Sequence, residues 1–183
     1  MTSLLALACS RQAKTPGEAA HRLSHAVRAG DGKALFAAVD QQTRWSWMTV
    51  KRCHRETYDI ILSNYPEGPA RERELRRYAS GATSATAADF FAAEAGPAAL
   101  ASLAPLSAGP DATVEIAADG KTADAVAASG ARWPLARGDD GSWGYAGLAA
   151  DAEERARRAV QDLELARSSA ADYERAAARA GAR

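Results

Sequence analysis

The chain has 183 residues and a mass of 19.2 kDa, enough for one domain with a tail and short for a two-domain enzyme. Lys and Arg total 23, as do Asp and Glu, so the formal net charge is zero; no global field gathers phosphate backbones, and nucleic acid is not an expected partner. Roughly a quarter of the residues are Ala, which bury little area each, and no apolar run reaches the roughly 18–20 residues of a membrane-spanning helix.

The first residues run Met1-Thr2-Ser3-Leu4-Leu5-Ala6-Leu7-Ala8-Cys9-Ser10 and then turn polar at Arg11-Gln12-Ala13-Lys14. A Leu-rich run, a small residue before Cys9 and a polar tether resemble the bacterial lipoprotein signal, although Ala6 stands where a branched aliphatic is usual. The charged n-region is missing and Leu4 to Ala8 is short, so residues 1–14 read as a truncated signal and tether. The resemblance implies acylation of Cys9 and a lipid anchor in the bacterial membrane. Without Asp at position 10, it implies the outer membrane, facing the periplasm. A Cys9–Cys53 disulfide is the rival use of the thiol, which nothing in the spacing requires.

Thr15-Pro16-Gly17-Glu18 predicts a capped helix start, and the first helix should run from Pro16 to Ala29 with Gly30 as its left-handed cap. Asp31 caps a short second helix carrying Leu35, Phe36 and Val39. A third helix is expected from about Thr43 to Tyr65, with Trp47, Val50, His54, Tyr58, Ile61 and Tyr65 at three- and four-residue steps, ended by Pro66. Glu67 to Arg77 reads as a charged, mostly basic connector and Ser80 to Ser84 as a small polar one. Ala87 to Glu94 predicts a short helix with Phe90 and Phe91, and Gly96-Pro97 opens another through Leu100, Leu103 and Leu106.

After Gly109-Pro110 the period becomes two. Thr113 to Ile116, an Asp119-Gly120 turn and Lys121 to Ala128 predict a hairpin; Arg132 to Ala136 and Ser142 to Tyr145 complete a four-stranded antiparallel meander. From Ala149 to Ala180 one stripe alternates three and four residues without a break, predicting a single helix with an alanine seam in the manner of a coiled coil. Leu163 and Tyr173 are its bulky seam residues and the expected contacts with a partner chain or with the protein's own helices. Attached near Leu148, this tail is expected to be dispensable for folding of residues 15–148.

Thr15-Pro16-Gly17-Glu18-Ala19-Ala20, then Arg28-Ala29-Gly30-Asp31, then Asp140-Gly141-Ser142-Trp143 opening the last strand, resemble small bacterial NTF2-like lipoproteins, which have a cystatin-like α+β fold. The resemblance covers about Thr15 to Leu148. It implies N-terminal helices packed on a curved four-stranded meander with a conical pocket, followed here by a long C-terminal helix. Trp47, Tyr58, Ile61, Val114, Trp133, Leu135 and Trp143 are expected to meet between the third helix and the sheet. Trp47, His54, Tyr58, Trp133 and Trp143 are the expected pocket lining.

Chemistry is sparse in this chain. His21 and His25 lie four apart, but no third ligand follows, so neither a metal nor a cofactor is expected. Cys53 and His54 are adjacent on a helix and therefore point about a hundred degrees apart, which does not make a nucleophile and its base. Arg71, Arg73, Arg76 and Arg77 are interleaved with Glu72 and Glu74 and read as a solvated face. The expectation is a non-enzymatic, membrane-tethered periplasmic module that binds a protein or a small ligand. The alternative is an NTF2-like enzyme using a pocket acid or base such as His54 or Asp59, with Tyr58 as donor.

Overall fold

The computed structural model describes residues 12–107 and 112–181, so Cys9 lies outside the described residues. The order is α1 (Pro16–Ala29), α2 (Gly32–Ala38), α3 (Gln41–Asn64), α4 (Pro69–Thr83), α5 (Ala87–Glu94), α6 (Gly96–Leu103), a 3-10 turn (Ala104–Ser107), strands β1 (Thr113–Ile116), β2 (Thr122–Val126), β3 (Arg132–Arg137) and β4 (Trp143–Tyr145), and α7 (Ala149–Gly181). The class is α+β, with the sheet in the antiparallel order β1-β2-β3-β4.

Local chemistry starts and stops these elements. The Thr15 hydroxyl accepts from the Glu18 amide at 3.2 Å, and Gly30, at φ 62°, closes α1 with its amide donating to the Val27 carbonyl. Asp31 caps α2, and the Asp40 carboxylate caps α3 by accepting from the Thr43 amide at 3.0 Å. Thr86 and Asp89 form a reciprocal capping box at α5. In the first hairpin turn the Asp119 carboxylate accepts from the amides of Lys121 and Thr122 at 2.8 and 3.0 Å.

Two packed halves result. In the first, α1 lies across the inner face of the sheet, where Ala123, Ala125, Trp133, Leu135, Trp143 and Tyr145 are buried with Leu23 and Val27. The link from α2 to α3 crosses β4 at Gly144: the Asp40 amide donates to the Tyr145 carbonyl at 2.9 Å, and a Cβ on Gly144 would stand 2.4 Å from the Val39 carbonyl oxygen. In the second half, α3 is flanked by α4 and α7. Its buried stripe is Thr43, Ser46, Trp47, Val50, Cys53, Thr57 and Ile61.

Three expectations are corrected here. The sheet packs chiefly on α1, so Ile61 and Tyr58 do not meet Trp133, Leu135 and Trp143 across a shared layer; Val114 is only partly buried, on the edge strand beside α1. The buried stripe of α3 is turned from His54 and Tyr58 toward Cys53 and Thr57, since small side chains stand where an alanine-seamed neighbour approaches. Most of the two expected connectors, Glu67 to Arg77 and Ser80 to Ser84, lies in α4, which Pro69 opens at the first helical position.

The tail docks on the protein's own helices, one of the two contacts expected of it. Ala152, Ala159, Leu163, Ala166 and Ala170 are buried, and α7 runs along α3 as that helix's most extensive partner. Arg167 bridges to Glu56 at 3.0 Å, Asn64 donates to Glu174 at 3.0 Å, and Tyr173 packs edge-on against Tyr65 with ring centroids 4.9 Å apart. Its seam is therefore buried against α3, which weighs against a dispensable tail and leaves deletion after Leu148 to decide it.

Candidate functional site

Along α3, with no sheet residue in its lining, α3, α4, α5 and α7 border a cleft of about 400 Å³. α3 supplies Trp47, Val50 and His54; α4 supplies Arg77 and Tyr78; α5 supplies Phe90 and Glu94; and α7 supplies Asp151, Glu154, Arg155, Arg158 and Asp162. The floor is a set of edge-on aromatic contacts. Phe90 meets Trp47 with centroids 5.5 Å apart, and the His54 ring stands 5.3 Å from both Tyr78 and Phe90.

Small residues let this floor assemble. Gly81 of α4 lies against His54, where a Cβ would come within 2.6 Å of the histidine Cβ and 2.8 Å of Nδ1. That nitrogen is buried and makes no hydrogen bond. A second ring proton would therefore be buried without an acceptor, and burial pulls the His54 pKa below its usual value, against the opposing pull of Asp162 and Glu94. Burial, assisted by Asp162, likewise pushes the Tyr78 phenol up to about 12. At neutral pH the floor is uncharged.

The rim carries both signs. Arg77 donates to Asp162 at 3.0 Å, and Arg158 donates to Glu154 at 2.6 Å, holding that carboxyl below its usual pKa. Arg155, one helical turn after Asp151, lies over the Trp47 ring at 5.6 Å from its centroid instead of pairing with that carboxylate. Among the described residues, neither Glu94 nor Asp151 joins an ion pair. A second cavity of about 280 Å³ shares Trp47, Glu94, Asp151 and Arg155 with the first and extends toward Ala99 and Leu148.

Of the expected lining residues, Trp47 and His54 reach this cleft. Tyr58 is half-buried outside its lining, and Trp133 and Trp143 belong to the core under α1. Asp59 is exposed and paired with Arg55 at 3.1 Å, so Asp59 and Tyr58 do not assemble a base and donor. Cys53 is buried, with its thiol pKa pushed up by burial, while the adjacent His54 turns to Tyr78 and Phe90. His21 and His25 are both exposed on α1. Among the described residues no group of three His, Cys, Asp or Glu converges as a metal site, and no helix is long and apolar enough to cross a membrane. The basic run is spread around α4, and Arg71, Arg76 and Arg77 pair with Glu67, Glu72 and Glu74 at 3.8, 3.9 and 4.0 Å.

The residues missed in the sequence are Tyr78, Arg77, Phe90, Arg155 and Asp162. Tyr78 lay between two stretches taken for connectors, and Asp162 is one acid among many on a charged tail. Comparison with family models, curated proteins and solved structures gave no match, which leaves the geometry of the cleft to carry the functional reading.

Proposed function

We propose that the protein is a non-enzymatic ligand-binding module of the bacterial envelope, tethered by a lipid on Cys9, with its binding site in the cleft of Trp47, His54 and Tyr78. One observation carries the reading: an aromatic-floored cleft of about 400 Å³ keeps Arg155, Glu94 and Asp151 close together and out of ion pairs. Its size is within the usual range for small-molecule sites, and unpaired charges over an apolar floor orient a ligand without first breaking a salt bridge. The tether is supported by the apolar run before Cys9 and the polar residues after it. Outer-membrane placement facing the periplasm follows from the same signal. The NTF2-like resemblance is supported by helices preceding a four-stranded antiparallel meander, but six described helices stand before the sheet, and the cleft lies along α3 because α1 fills the inner face of the sheet.

An acid–base enzyme is the second reading, favoured by one feature: His54, held neutral, lines the same cleft as Asp162. Binding is preferred because the described cleft brings no nucleophile to His54. Titration with benzamidine and benzoate, a planar cation and a planar anion, tests it through the NMR signals of the His54 ring and the Arg155 guanidinium. Saturable shifts with one probe, lost on Arg155→Ala, are expected; no shift with either overturns the binding site. Detergent partitioning that persists in Cys9→Ala overturns the tether separately.

A further inference from the structure

The first turns of α3 leave an apolar pair in water. Trp45 is 51% exposed and Met48 55% exposed, neighbours one turn apart, whereas Trp47, Trp133 and Trp143 are buried. Trp45 borders the β3–β4 turn at Arg137, Gly138 and Asp139, and the Gln41 side chain clasps that turn by accepting from the Asp139 amide at 2.9 Å. The pair therefore stands on a corner where α3 and the sheet are joined.

The N-terminal chain arrives at the same corner. Ala13 is buried, and its carbonyl accepts from the Trp143 amide at 2.9 Å, which fixes where the chain meets β4. Just before it, the Gln12 side-chain amide is placed for its nitrogen to donate to Asp140 at 2.7 Å and its oxygen to accept from Arg44 at 3.3 Å. Asp140 belongs to the turn beside Trp45, and Arg44 is the residue before it. Cys9 precedes Gln12 by three residues, so the two stand at most about 10 Å apart however the chain runs between them. A lipid on Cys9 would hold that residue at the headgroup boundary, and so short a reach brings this corner against the bilayer.

We propose that the corner docks on the phospholipid surface, with Trp45 and Met48 seated among the headgroups. An indole suits that layer, its ring being apolar and its N–H within reach of water or phosphate. Lys51 and Arg52, about one turn on, have stems that can lie over the surface with their charges in water. Arg52 meets Glu56 at 4.0 Å, and Lys51 joins no ion pair among the described residues. Charges of both signs surround the pair, Arg44, Arg137 and Lys51 against Asp40, Asp139 and Asp140, so no headgroup charge is selected. Two side chains bury too little apolar area to hold a protein on a membrane; the tether does so by keeping them at high local concentration. At about 100° per residue, Trp47 and His54 lie about 160–180° around α3 from Trp45, so docking leaves the charged cleft open to solution.

The proposal rests on the tether at Cys9, and the experiment makes that tether chemically, so its failure is separate from a failure of acylation in the cell, which detergent partitioning reads. The full chain is coupled through Cys9, Cys53 being buried, to a maleimide-headgroup lipid in phosphatidylcholine vesicles, either plain or brominated high on the acyl chains. Bromine quenches tryptophan that enters the bilayer. Trp45 is one of four tryptophans, so loss of about a quarter of their emission is expected on brominated vesicles. Cys9→Ala, which does not couple, should show no loss. Met48→Glu keeps the reporter but puts a carboxylate into the patch, and should abolish the quenching; Leu165→Glu, at an exposed position on α7, should leave it unchanged. Trp45→Phe should remove the quenched component and leave the emission of the three buried tryptophans. The proposal is overturned if the coupled protein is not quenched, if quenching survives in Trp45→Phe, if the two glutamate variants act alike, or if uncoupled Cys9→Ala is quenched equally.

Discussion

The two halves of this molecule are built from different side chains. Under α1 the sheet buries Trp133, Leu135, Trp143 and Tyr145 against Leu23 and Val27, and large apolar residues fill the space between layers. Around α3 the partners are Ala152, Ala159, Ala166 and Ala170 of α7, Gly81 of α4, and the small Cys53 and Thr57 of α3 itself. Small residues bring backbones close but leave little side-chain volume to fill the angles between three helices, and the cavities of about 400, 280 and 340 Å³ all border α7. The first half is a packed support, and the second trades packing for enclosed space.

Removing residues after Leu148 is the most severe test of that contrast. It uncovers Trp47, Val50, Cys53 and Ile61 along α3, and the expected outcome in a calorimetric scan is loss of the cooperative transition. A truncated chain that melts cooperatively near the full-length temperature would show that the sheet half folds alone and α7 is an accessory.

Adding one methyl group at each close backbone approach separates the halves more finely. Gly144→Ala drives a Cβ to 2.4 Å from the Val39 carbonyl oxygen, a backbone atom fixed in the link to α3, and should cost about 3 kcal/mol in denaturant unfolding. Gly81→Ala meets the His54 Cβ at 2.6 Å, which turning the ring does not move, so relief comes from α4 shifting on α3, and it should cost about 1–2 kcal/mol. Equal costs would mean the helical half is as rigid as the sheet half.

The smallest effect is set by pH. Because the folded-state pKa of His54 lies below its unfolded value of 6.5, the unfolded chain takes up a proton that the folded chain resists. This residue's contribution is neutral above 6.5; stability is lost as pH falls below 6.5, until the folded-state pKa is passed. His54→Phe should flatten the melting temperature between pH 6.5 and 5, and an unchanged slope in that variant would remove His54 as its source.

Much of the local structure was legible in the sequence, for reasons that act within a few residues. Thr15-Pro16 and Gly30 bound α1, Asp31 starts α2, Asp119-Gly120 turns the first hairpin, and the unbroken three-and-four spacing from Ala149 yields one helix. α4 was not legible. Its cap position is Gly68, which offers no side-chain hydrogen bond, and its buried residues, Tyr78, Gly81 and Ala82, gather at one end of a charged segment. What makes it a helix in place is the surface of α3.

Of the candidate site, Trp47 and His54 could be named in advance, because their spacing put them on one helix with an apolar face. Tyr78 and Asp162 could not, being brought to that helix by two others that pack along it and are joined by the Arg77–Asp162 ion pair. Period and capping are set by chain neighbours and so determine which residues form an element and which of its sides is apolar. Which element covers that side depends on how side-chain volumes fit across the interface, and here the fit of an alanine seam to Cys53 and Thr57 placed α7, rather than the sheet, against α3.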